Sequence, residues 1–272
     1  MSHLSPETLH IFFGPTSVLA LSRGGWRRRL GQTRAYPVAA VTGELWQDAL
    51  TAFSAALRDL KCRRVRVVLS HQFVQYRVLS WRDDLVGDAE YEALARLEFS
   101  AAFGTLADAW TIGLSDEPPG VSRVASALPS ALLAGFGTAA SEAGAKLLAV
   151  QPYLTVVANL WDRVLPGNAC RWLLLYEPGR ICAVARQAGS WCWVRHLRAR
   201  EDWARQLAVI LHSEAQLAGL EAAPANVHVF APGAGPDALL TLRSAGFQVL
   251  EPASELGFLA DRDGAFAPAW LG

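Results

Sequence analysis

The chain has 272 residues, 52% hydrophobic and 18% charged, with 25 basic and 25 acidic side chains and a formal net charge of zero. That composition excludes a disordered protein and supplies the apolar surface for one large domain or two small ones. It also gives no overall charge that would favour nucleic acid.

The N-terminal MSHLSPETLH lacks the basic and apolar regions of a signal peptide. The longest apolar stretch, LLAVQPYLTVVANLW, is broken by Gln151, Pro152 and Asn159 and falls short of the ~20 residues of a membrane span. A soluble, cytoplasmic chain is expected. Cys62, Cys170, Cys182 and Cys192 form no CxxC and have no His at ligand spacing, so no metal site is expected. Cys182 and Cys192 could face each other across a hairpin; buried thiols in a reducing compartment are the simpler expectation.

In chain order, Ile11–Phe13 and Val18–Leu21 read as strands around a Gly14-Pro15 turn. WRRRLGQTRAYPVAAV follows as an edge-like segment. Its Arg27-Arg28-Arg29 run reads as a solvated strand end, with an acidic partner or lipid headgroups as the alternative. Glu44–Leu60 keeps helical spacing behind Thr42 as N-cap. Val65–Ser70 and Gln75–Trp81 are strands, Asp88–Phe103 a helix stopped by Gly104, and Trp110–Leu114 and Val121–Leu128 a strand pair around SDEPPG. Ser130–Ala143 is a helix, Lys146–Val150 a strand and Tyr153–Arg163 a helix. LPGNAC, residues 165–170, reads as a linker, which divides the chain into domains 1–166 and 167–272.

The pattern then restarts. Arg171–Tyr176, Arg180–Gln187 and Ser190–Leu197 form a strand meander, followed by helix Glu201–Leu217, strand Asn226–Phe230, helix Pro236–Ala245 and strand Phe247–Leu250. The order βββαβαβ repeats βββαβ plus αβα of the first half, where a block at about Phe73–Val124 is inserted. An α/β chain with two related halves is expected.

QYRVLSW with YEALARLEFSAAFG, then AWTIGLSDE and VSRVASALPSALLAGFGTAASEAGAKLLAVQPYLTVVANLWD, resemble the PilM and GspL-like proteins, actin-like cytoplasmic proteins of type IV pilus and type II secretion machines. The insertion matches the PilM and FtsA-like branch. The resemblance implies an actin-like (ribonuclease H-like) fold with a truncated second half. It also implies two hairpins and a Gly-containing loop that grip ATP: Gly14, Thr16 and Ser17; Glu177 and Gly179; Gly233 and Gly235.

These segments depart from what that grip needs. A phosphate hairpin wants backbone N–H groups and a nearby carboxylate for Mg²⁺ or water. Phe13 stands where the family has Asp, with Glu177 as the one stand-in. Pro178 removes a donor, and Arg180 is bulky, a solvent-facing hairpin tip by default and a phosphate partner otherwise. One helix, Glu201–Leu217, stands where the family has a pocket-walling subdomain. Nucleotide binding is expected to be weak or absent, hydrolysis absent, and no ATP or Mg²⁺ is expected as cofactor.

Among other candidates, Ser70 and His71 sit together at a strand end, where alternation points them to opposite faces and argues against a nucleophile pair. Asp83-Asp84 and Asp261 with Asp263 read as solvated turns. No GxSxG, HExxH or Walker A is present. Tyr76, Trp81, Trp191 and Trp193 are candidate partner-binding aromatics, the last two sharing one strand face.

The resemblance implies a non-catalytic adaptor at an inner-membrane platform. It would bind the cytoplasmic segment of a membrane-anchored pilus or secretion protein beside the insertion, with a secretion motor ATPase as a further partner. With no membrane helix before Gly272, it would reach the membrane through that partner. The rival reading is an active ATPase or small-molecule kinase of the same fold, and a third is a structural module unrelated to pili.

Overall fold

A computed structural model describes residues 8–24, 29–39, 45–85, 87–164, 171–220, 226–250, 258–260 and 266–268. Trp26, Arg27, Arg28, Thr42, Glu44, Asp261, Asp263 and Trp270 lie outside these residues, as do the linker 165–170 with Cys170 and the proposed boundary at 166/167.

β1 (Thr8–Phe13) and β2 (Ser17–Gly24) are the apolar runs around Gly14-Pro15, paired antiparallel from Thr8↔Arg23 to Phe13↔Val18. β3 (Arg29–Pro37) pairs with β2 as the sheet edge. Helix α1 (Leu45–Leu60) buries Ala49, Ala52, Phe53, Ala56 and Leu57 and returns the chain to β4 (Arg64–Leu69), which lies parallel to β1.

The insertion follows: β5 (Gln75–Leu79), α2 (Asp88–Phe103), a 3₁₀ turn (Gly104–Ala109), β6 (Trp110–Leu114) and β7 (Arg123–Pro129). Its three strands form a separate antiparallel sheet, β5-β7-β6. Tyr91, Ala95 and Phe99 of α2 close a small core over it. α3 (Ser130–Glu142) leads to β8 (Lys146–Pro152), parallel to β4, and α4 (Tyr153–Val164) follows. The first sheet is ordered β3-β2-β1-β4-β8.

The second half repeats this order with β9 (Arg171–Glu177), β10 (Arg180–Gln187), β11 (Ser190–Arg198), α5 (Trp203–Leu217), β12 (Val227–Phe230), α6 (Pro236–Ser244) and β13 (Gln248–Leu250). Its sheet, β11-β10-β9-β12-β13, has the same topology. Between β11 and β12 the described residues hold one helix, α5, and β12 passes to α6 through a short loop without a second insertion. A small hairpin, β14 (Phe258–Ala260) with β15 (Phe266–Pro268), comes last.

Strand alternation divides the apolar residues of β9. Trp172 and Leu174 face a core roofed by Trp203, Leu207 and Leu211 of α5. Leu173 and Leu175, with Cys182, Val184 and Phe230, belong instead to the main core of the first half. The halves therefore share one apolar body. At its heart the Phe136 ring meets those of Phe13 and Phe53 edge-on at centroid distances of 4.8 and 5.1 Å.

Two register details correct the sequence reading. Ala185 pairs with Trp193 and Arg186 with Trp191, so Cys192 is an extra, bulged residue. Trp191 and Trp193 therefore do not share a face: Trp191 joins the main core and Trp193 packs on Trp172. Cys182 pairs with His196 rather than Cys192; Cys182 is buried and Cys192 exposed, and both are free thiols.

Phe136 is fully buried, so Phe136→Ala should destabilise the fold by about 3–5 kcal/mol, read from urea unfolding.

Candidate functional site

β1 and β4 run parallel and end side by side, and β9 ends opposite them. The cleft between the halves lies at these ends. It measures about 220 Å³ and is lined by the β1–β2 turn, the β9–β10 turn, Gln72, Tyr153 and the loop after β12. Small-molecule sites are larger, roughly 300–1,000 Å³.

Of the seven candidate nucleotide residues, the cleft gathers Gly14, Thr16, Ser17, Glu177 and Gly233, while Gly179 and Gly235 do not line it. Gly14 is required by the turn: a Cβ there would lie 2.9 Å from the Ser17 carbonyl oxygen and 3.2 Å from the Phe12 ring. Gly233 has φ +76°, a left-handed value that favours glycine. Gly235 is extended and precedes α6 with φ −63°.

Donors for an anion are scarce. The Gly14 amide donates to the Ser17 carbonyl at 3.1 Å, and Pro15, Pro178 and Pro232 have no N–H. None of the residues lining the cleft is Lys or Arg, and Glu177 is the one acid. Phe13, at the expected carboxylate position, turns into the main core; Phe12 faces the cleft and stacks edge-on against Tyr153 at 5.3 Å.

Glu177 is buried and tied across the domain seam. Ser70 Oγ donates to its Oε2 at 2.5 Å, and His71 Nε2 lies 3.5 Å from the same oxygen. Gln72 Nε2 donates to the Pro178 carbonyl at 3.0 Å, and Arg180 donates to the Gln72 carbonyl at 3.4 Å. Arg180 is thus neither a solvent-facing tip nor, in this arrangement, a phosphate ligand; it is half-buried in the seam.

Ser70 and His71 also depart from expectation. β4 ends at Leu69, so strand alternation no longer governs them, and both reach one carboxylate. The result is no nucleophile–base pair. The Ser70 hydroxyl donates to Glu177, and both Ser70 and His71 have 0% exposure, which leaves no path for a substrate. His71 stacks between Tyr153, at 6.2 Å, and His196, at 5.7 Å, and Tyr76 meets His196 edge-on at 5.5 Å.

Burial sets the protonation states. Desolvation raises Glu177 to about 7, against the lowering influence of Ser70, the His71 amide and Arg180. Burial lowers His196 to about 3, helped by Arg180 and Arg77, and holds His71 well below the ordinary imidazole range. Both imidazoles are neutral, so the His71–Glu177 approach is not an ion pair. Burial likewise pushes the Tyr76 and Tyr153 hydroxyls and the Cys182 thiol upward.

The partner-binding aromatics fare unequally. Tyr76 and Trp191 are buried, so neither presents a surface anchor. The Trp191 indole donates to Glu117 at 2.7 Å, and the Ser122 amide donates to Ser190 Oγ at 3.1 Å, which holds the insertion against the β10–β11 hairpin. Trp81 is half-buried on Tyr91 and donates to Asp83, while Asp84 pairs with Arg82. This acidic pair is a solvated turn. Trp193 is half-buried over Trp172. No cluster of metal-ligating side chains occurs among the described residues.

No family model matches the chain, and no curated protein matches it. Solved structures do match. A Bacteroides thetaiotaomicron protein of actin-like ATPase fold and unknown function superposes with TM-score 0.65 at 10% identity, over 92% of this chain and 93% of its own. A PilM–PilN type IV pilus biogenesis complex matches with TM-score 0.59 at 14% identity, over 89% and 87%. The cytoplasmic domain of EpsL, an inner-membrane component of the Vibrio cholerae type II secretion system, matches with TM-score 0.51 at 10% identity, over 83% and 82%.

A raised Glu177 means that the folded state holds this proton more tightly than the unfolded chain. Its contribution to stability is full below about 4.5 and is lost as pH rises to about 7. Relative to Glu177→Gln, the wild type should therefore lose about 3 kcal/mol between pH 4.5 and 8 in urea unfolding. A difference flat in pH would show that folding leaves the Glu177 carboxyl at its ordinary proton affinity. With its two sheets of equal topology around a shared cleft, the chain carries the actin-like fold, and it superposes on structures that include a PilM–PilN complex and the cytoplasmic domain of EpsL.

Proposed function

We propose that the chain is a non-catalytic cytoplasmic adaptor in the assembly of a type IV pilus or type II secretion platform, binding the cytoplasmic segment of a membrane-anchored partner. One observation carries the loss of catalysis: the one acid of the cleft, Glu177, is buried and hydrogen-bonded into the seam. A phosphoryl-transfer site needs an ionised carboxylate facing Mg²⁺ or water. Here that group is spent on joining the halves, and the turns around it have given up N–H donors to proline.

The assembly role is supported by the likeness to the PilM–PilN complex and to the EpsL cytoplasmic domain. No helix among the described residues is long and apolar enough to cross a membrane, which fits recruitment by a partner. The insertion, braced against the second half through Trp191–Glu117 and Ser122–Ser190, supplies a preformed second surface for such a segment.

Calorimetric titration with MgATP should give no heat at millimolar nucleotide, for wild type and Glu177→Gln alike. Peptides from the cytoplasmic tails of the same organism's inner-membrane pilus and secretion proteins should include one that binds at micromolar concentration, unaffected by ATP. Micromolar MgATP binding with hydrolysis would replace this reading by an actin-like ATPase; the absence of any binding tail would remove the adaptor role.

A further inference from the structure

The parallel strands β1, β4 and β8 all end toward the cleft. Their other ends gather an unusual amount of positive charge. Arg58 closes α1, Lys61 and Arg63 form the link to β4, Arg64 opens β4, and Lys146 opens β8 directly beside it, in register Arg64↔Lys146. All five are exposed. None has an ion pair among the described residues; the pairs found there use Arg34, Arg82, Arg123 and Arg195. Lys61 and Lys146 are the only lysines in the chain, and both are here. Register places Arg23 and Arg29 at the same sheet end, opposite Thr8 and Gly24. Of the acids in this region, Asp59 is engaged by Arg34 and Tyr36, and Glu142 ends α3.

The backbone at Lys61 is a second observation at this end of the sheet. It has φ +45°, in the left-handed region, and its amide caps α1 by donating to the Leu57 carbonyl at 3.1 Å. Glycine is the ordinary residue there. A lysine keeps its charge at a conformational cost, as residues selected for function do. Complementing the helix dipole accounts for Arg58 and Lys61; it does not account for Arg63, Arg64 and Lys146.

We propose that this sheet end is a membrane-contact face that binds anionic lipid headgroups. A protein interface is built on aromatic and apolar anchors ringed by charge. Among the described residues the exposed large apolar side chains are Leu45, Leu97, Leu106, Val209, Leu217 and Leu240, and none belongs to the cationic group; Cys62 and Val65 within it are buried. A surface of charge without anchors suits a plane of phosphates, to which each Lys or Arg adds roughly 1 kcal/mol of attraction. β1 has 6 residues, so the cleft would stand about 20 Å from the lipid, with the domain seam left free. This contact is independent of the adaptor reading and needs no partner protein.

Sedimentation with vesicles of 30% phosphatidylglycerol in phosphatidylcholine tests it. Wild type should bind at low salt, release as added salt shortens the Debye length and screens the attraction, and ignore pure phosphatidylcholine. The variant K61Q/R63Q/R64Q/K146Q should lose binding by a hundredfold or more, at roughly fivefold per charge. A control of equal charge change, R96Q/R198Q/R200Q/R205Q, should bind as wild type. Lys61→Gly should split two readouts: a higher melting temperature and weaker vesicle binding. Equal loss in both quadruple variants, no binding by a folded wild type, or stronger binding to poly-glutamate than to vesicles would overturn the proposal.

Discussion

A carboxylate buried between the two halves constrains everything around it. Glu177 ends β9, and its side chain lies where β4 of the first half runs out, so the hydrogen bond from Ser70 joins the halves at the base of their cleft. Removing a charged group from water costs several kcal/mol, and here the cost is reduced by holding the proton near neutrality. The same burial keeps His71 and His196 neutral and stacked. Around this polar seam the apolar core is continuous from α1 to β10. A large apolar interface resists the domain rotation that a nucleotide-driven cycle requires.

Local chemistry made much of this architecture legible. Apolar runs split by Gly14-Pro15 and Pro178-Gly179 define the two hairpins, and helical spacing defines α1, α2 and α5 within a residue or two. The repeat was visible because both halves need the same order of elements to bury a sheet on both faces. Of the seven candidate residues, named through the family resemblance, five line the cleft, because the hairpin turns that carry them sit where strand ends meet.

What escaped was geometry that no local pattern encodes. Ser70 and His71 escape strand alternation because β4 stops at Leu69, and no periodicity announces that stop. The bulge at Cys192 reverses the facing of Trp191, and nothing in SWCWV marks the extra residue. Arg180 and Tyr76 read as exposed because their partners, Gln72 and His196, lie more than a hundred positions away. The φ > 0 backbone of Lys61 was likewise invisible, since a lysine there breaks the glycine rule that would reveal it.

The two ends of the first sheet thus differ in chemistry. One carries proline-lined turns, aromatic rings and one acid largely withdrawn from solvent; the other carries Arg58, Lys61, Arg63, Arg64 and Lys146, which form no ion pair among the described residues. The Ser70–Glu177 tie underlies the first of these, and a double-mutant cycle isolates it. Unfolding free energies of wild type, Ser70→Ala, Glu177→Ala and the double variant should give a coupling energy of about 1–3 kcal/mol at pH 6. Additivity within about 0.5 kcal/mol would mean that Glu177 does not hold the halves together, and would free it for the cleft.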